Sequence, residues 1–131
     1  MTMSAAAKEL HVYIDNDGGL YRQQGQPILK NLATKKATGV YDHDKAVKLY
    51  MYYAENGAKK YAKEFGSNGG ADWNKMFSVS DRKQVSEAFA KDFETEYANG
   101  SYRDLLPKKY QSKAPTAKRS ATKRPAAKRS R

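Results

Sequence analysis

From Pro107 to Arg131 the chain carries ten basic residues and no acidic one: Lys108, Lys109, Lys113, Lys118, Arg119, Lys123, Arg124, Lys128, Arg129 and Arg131. Apart from Tyr110 no large apolar side chain follows Leu106, and Pro115 and Pro125 would interrupt a helix. A segment of this kind cannot bury enough apolar surface to offset its chain entropy, so residues 107–131 are expected to be a disordered basic tail. That leaves the fold to be built from the residues before it. These hold 15 basic and 14 acidic side chains, so the net charge of +11 is concentrated at one end of the sequence.

The last fifteen residues read as three pentads, AKRSA, TKRPA and AKRSR, each with a Lys-Arg pair at its second and third positions. An interval of five fits neither one face of a helix nor one face of a strand. A flexible polycation suits a polyanion with dense charge and forgiving geometry, and nucleic acid held through counterion release is the natural partner. The run Lys123-Arg124-Pro125-Ala126-Ala127 followed by Lys128-Arg129 resembles the nucleoplasmin type of nuclear import signal. The Ala/Pro/Lys composition is similar to that of the tails of linker-histone-like and bacterial nucleoid proteins. A solubilising tail is the alternative. An anionic membrane surface would require bulky apolar anchors that the tail lacks, so no membrane partner is expected.

With 131 residues in all, residues 9–106 are expected to form one small domain, after a flexible N-terminus at 1–8. The chain has no cysteine, which excludes disulfides, thiolate metal sites and cysteine nucleophiles. MTMSAAAKEL lacks an apolar core of the signal-peptide kind, and an intracellular location in cytoplasm, nucleoid or nucleus is expected. Ten tyrosines against four phenylalanines suggest a core with a phenolic rim.

His11-Val12-Tyr13-Ile14 is β-prone, Asp15-Asn16-Asp17-Gly18-Gly19 is turn-rich, and Leu20 to Gln23 can return, so an N-terminal β-hairpin is expected. The hydrophobic run ending in Asp15-Asn16-Asp17-Gly18 resembles the nucleophile motif DxDGT of the haloacid dehalogenase family, with Gly19 in place of its Thr. That resemblance implies a magnesium-dependent hydrolase built on Asp15 and Asp17. The same stretch resembles the start of an EF-hand loop, although Gly19 offers no side-chain oxygen and Gln26 stands where a bidentate Glu is needed. The hairpin turn is the use adopted for these residues.

Further on, the spacing predicts a helix over 26–38, with Pro27 in its first turn and Gly39 at its end. A second helix starts at the cap Asp42 and buries Ala46, Leu49, Tyr50 and Tyr53; Asn56-Gly57 ends or bends it, and a further short helix runs to Gly66. Trp73, Met76 and Phe77 form an aromatic cluster. A last helix capped by Ser78 or Ser80 carries Val85, Phe89, Phe93 and Tyr97 at four-residue spacing. A helix-turn-helix across the first two helices would put Asp42 and Asp44 against a DNA backbone, and is not favoured. Lys59, Lys60 and Lys63 with Lys35 and Lys36 form either a secondary basic patch or a solvated face. Tyr21, Tyr41 and Tyr52 are candidates for a contact surface. His11 and His43 have no partners at ligand spacing.

The expected fold is therefore α+β and mainly α: three to four helices, one N-terminal β-hairpin and the basic tail. The expected function is that of a non-enzymatic nucleic-acid-associated protein without a cofactor, its ten tail cations meeting phosphates. The alternative is a protein–protein interaction module, an adaptor or inhibitor, with a protein partner at the domain.

Overall fold

The computed structural model of the chain describes residues 3–115, and every regular element among them is helical. The expected N-terminal hairpin is not there: α1 (Ala5–Asp15) runs through His11-Val12-Tyr13-Ile14. The periodicity that decides it is Ala7, Leu10 and Ile14, spaced three and four residues apart and all buried. Ala5, Ala6 and Ala7 favour the helix, and the hydroxyl oxygen of Ser4 accepts a hydrogen bond from the Ala7 N–H at 3.0 Å. Residues 5–8, expected to fray, are the first turn of this helix. Ser4 also donates from its N–H to Gln84 Oε1 and from its hydroxyl to Asp81 Oδ1, both at 2.7 Å, which fastens the start of α1 to a helix near the other end of the domain.

The turn-rich residues are caps. Asp17 accepts a hydrogen bond from the Leu20 N–H at 3.0 Å and opens the short α2 (Gly18–Leu20). The chain then widens into a π-helical segment, Tyr21–Gly25, and continues as α3 (Gln26–Ala37). Pro27 has no N–H to give to a carbonyl four residues back, and it stands two residues after the segment in which that ladder is broken.

Asp42 caps α4 (His43–Phe65) through the Asp44 N–H at 2.9 Å. This helix is continuous across Asn56-Gly57, where the sequence suggested an end or a bend. Gly57 is there for packing: a Cβ on it would land well inside contact distance of the buried Ile14 side chain, so α1 crosses α4 at this point. A 3₁₀ turn (Asn68–Gly70) and α5 (Trp73–Met76) lead to α6 (Val79–Ala98), which opens on a capping box between Ser78 and Asp81. A 3₁₀ turn (Arg103–Leu105) and α7 (Lys108–Gln111) follow.

The core is the α4–α6 interface with α1 and α3 laid against it. Phe93 is at its centre: Tyr102 stacks on it with ring centroids 5.6 Å apart, and Tyr41 and Tyr97 pack beside it. Phe89 joins Tyr50 to His11, stacking on both. The phenols expected at the rim are thus partly interior, with Tyr50, Tyr53 and Tyr97 buried. Burial pushes the Tyr50 hydroxyl well above the usual phenolic range, so it stays neutral there. No helix among the described residues is long and apolar enough to cross a membrane.

Candidate nucleic-acid interface

Three of the ten tail cations stand on ordered ground. Leu106 is buried and Pro107 introduces α7, whose Gln111 side-chain amide donates back to the Leu106 carbonyl at 3.1 Å. Tyr110 packs against the core, and Ala114, 8% exposed, is buried in it. The packed structure therefore extends past Pro107, through Ala114. Lys108, Lys109 and Lys113 project from this anchored turn and are exposed. Lys118, Arg119, Lys123, Arg124, Lys128, Arg129 and Arg131 lie outside the described residues, as does the expected disorder of that stretch.

Beside α7 is a hollow of about 640 Å³ lined by Arg22, Gln26, Pro27, Lys30 and Asp104 to Pro107. Arg22 and Lys30, eight residues apart across the π segment and α3, share this wall, and both are exposed. Neither stood out in the sequence, since only the fold carries the 103–107 segment onto α3. Ion pairs among the described residues join His11 to Asp15, His43 to Glu94, Lys59 to Glu55 and Lys60 to Asp17. Arg22, Lys30, Lys108, Lys109 and Lys113 take part in none of them. Asp104 is the one carboxylate in the lining, so the surface from which the basic segment leaves is itself cationic.

The two acidic motifs are accounted for otherwise. Asp15 ends a helix rather than a strand and faces His11 at 3.4 Å; Asp17 is held by Lys60 at 2.7 Å, and that bond keeps its carboxyl below the usual range. The strand that both a dehalogenase nucleophile and its fold require is replaced by α1. No group of three or more His, Cys, Asp or Glu that could hold a metal occurs among the described residues. His11 stacks on Phe89, and its Nε2 is buried without a hydrogen-bond partner. His43 Nδ1 and the Tyr41 hydroxyl meet one oxygen of Glu94, each at 2.5 Å. The bond to Glu94 raises the His43 pKa. Tyr41 is thereby part of the structure, whereas Tyr21 and Tyr52 are exposed.

The five lysines grouped in the sequence are separated. Lys36 lies over the rings of Tyr41 and Tyr97, at 4.9 and 5.9 Å from their centroids. Lys59, Lys60 and Lys63 line a cleft next to Trp73, to which neither Lys35 nor Lys36 contributes. No family model, curated protein or solved structure matches the chain significantly.

Proposed function

We propose that this is a non-enzymatic, intracellular nucleic-acid-associated protein whose Lys/Arg-rich C-terminal segment binds the phosphate backbone without sequence specificity. The observation that carries this reading is the segregation of charge: ten of 25 basic residues and none of 14 acidic ones lie in residues 107–131. The first three of those cations follow Pro107, which lines the same hollow as Arg22 and Lys30, and among the described residues none of the five is paired to a carboxylate, so a bound backbone can continue from the segment onto the domain. Side chains of this type hold phosphates as mobile point charges, and affinity should follow counterion release.

The test is a salt series with duplex DNA, single-stranded DNA and RNA, comparing the full chain with a version ending at Pro115, which keeps the packing of Tyr110 and Ala114. For about 6–8 phosphate contacts on a duplex, the slope of log affinity against log salt should be about −5 to −7, falling to about −1 to −4 in the shorter chain. Equal slopes for the two proteins, or no binding by the full chain near physiological salt, would refute the proposal.

A protein-docking role has its own support at the C-terminal end of α4. Phe65 is 61% exposed and packs on Tyr13 and Tyr61, whose hydroxyls donate to Glu64 and Glu9. An aromatic face with a carboxylate rim suits a partner that presents Lys or Arg. On that reading Phe65→Ser abolishes partner binding with little change in fold stability, and loss of residues 116–131 leaves it intact.

A further inference from the structure

The cleft beside Trp73 lies between α4 and the loop that follows it, and has a volume of about 530 Å³. It is open to solvent, so it can admit part of a polymer as well as a small molecule. Lys59, Lys60 and Lys63 edge it, Leu20 and Ala71 supply apolar floor, and Gln23 and Asn56 supply amides. Gly70, at φ 90°, brings the loop onto the backbone of Lys63, where a side chain would not fit; this keeps that wall low. Trp73 is half-buried, with Lys59 Nζ 5.1 Å and the Arg82 guanidinium 4.8 Å from its ring centroid.

Lys59 and Lys60 are held in partly exposed ion pairs, which are weak enough for the phosphates of a ligand to replace. Lys63 has no carboxylate partner among the described residues, and Glu55 and Asp17, which pair with Lys59 and Lys60, do not line the cleft. Lys59 and Lys63 are one helical turn apart on the same side of α4, about 6 Å along its axis. A planar aromatic surface next to a row of cations is what a base and its adjoining phosphates need. Stacking on an aromatic ring tolerates any base because every base has a π face. A duplex hides those faces.

We infer that this cleft binds a segment of single-stranded nucleic acid, one base stacking on Trp73 in place of the Lys59 ammonium that now lies over the ring, and the adjacent phosphates held by the displaced Lys59 with Lys60 and Lys63. The inference takes from the proposed function only the class of polymer; the site is separate from the C-terminal segment and adds a preference for unpaired strands that a polycation alone lacks.

Trp73 is the only tryptophan of the chain, so its emission reports this cleft and no other place. The full-length protein is titrated with a labelled oligothymidylate and with a labelled duplex, reading anisotropy for total binding and tryptophan emission for the cleft. The oligothymidylate should raise anisotropy and quench Trp73 by about half, while the duplex raises anisotropy with little quenching. The double substitution Lys59→Ala, Lys63→Ala should weaken oligothymidylate binding about five- to tenfold and remove the quenching, with circular dichroism and melting temperature unchanged. Anisotropy that rises without quenching, or a double variant that binds and quenches like the wild type, would overturn the inference and leave the C-terminal segment as the binder. No anisotropy change with either probe would refute this site and the proposed function together. Thymidine monophosphate that saturates the quenching at the concentration the oligothymidylate needs would also overturn it, in favour of a free-nucleotide site.

Discussion

Gly57 is the residue on which the α1–α4 crossing depends. Ile14 is 1% exposed and its side chain fills the space that a Cβ at position 57 would take, with core on its other sides. Gly57→Ala, which raises helix propensity in an isolated helix, should therefore destabilise the protein by about 1–3 kcal/mol through overpacking. Pairing it with Ile14→Ala should give less than the sum of the two single losses, a coupling readable in urea denaturation of the four proteins. The sequence shows a glycine in an apolar-striped helix and cannot show what opposes it; a stop, a bend and a close approach share one letter. The start of α6 was legible as a cap at Ser78 or Ser80, and the structure selects Ser78, whose reciprocal partner Asp81 stands three residues on. The lysines of the Trp73 cleft could be seen as a group, but Trp73 itself reads as core until α5 places it between Lys59 and Arg82.

Among the elements, α3, α4 and α6 follow from apolar spacing, while α1 was obscured by two local signals that tertiary packing overrode. Val12 and Ile14 are β-branched and Asp15 to Gly19 are turn formers, yet Leu10 and Ile14 need the same side of a helix to reach α4 and α6. The loop between α3 and α4 is tied to α6 by Tyr41, His43 and Glu94, and this tie has a pH signature. His43 is raised by its bond to Glu94, so its contribution is complete below about 6.5 and is lost as the pH rises through the raised value. Burial pushes Glu94 upward, but the Tyr41 hydroxyl and His43 outweigh it and hold the carboxyl low. Its contribution is complete above about 4.5 and is lost as the pH falls through the lowered value. Melting temperature should thus decline on the alkaline side of the His43 transition, and His43→Gln should flatten that limb while leaving the acid limb. His43 is 43% exposed, so the effect should be at most about 1 kcal/mol.

For the molecule as a whole, charge segregation and the limit of the fold are different boundaries. The sequence separates a near-neutral part from a basic one at Pro107, and composition alone gives no reason to place the edge of the core anywhere else. The fold continues past that point because three side chains find cover: Leu106 and Ala114 are buried in the core and Tyr110 packs against it. Lysines 108, 109 and 113 do not prevent this, since they alternate with the residues that pack and keep their charges in water. A chain ending at Pro115 keeps every described packing contact of this end and should melt within about 1 °C of the full protein at moderate salt, since residues 116–131 contain no large apolar side chain. A chain ending at Leu106 exposes Leu106 and loses Tyr110 and Ala114, a loss of about 1–2 kcal/mol, and should melt about 4–8 °C lower. Differential scanning calorimetry of the three lengths decides it. If 1–106 and 1–115 melt together, the anchored turn contributes nothing and Lys108, Lys109 and Lys113 belong with the cations beyond residue 115. If they separate as expected, those three lysines are fixed on the domain in a turn that contacts α3, and a phosphate backbone there meets a preformed surface instead of one assembled on binding.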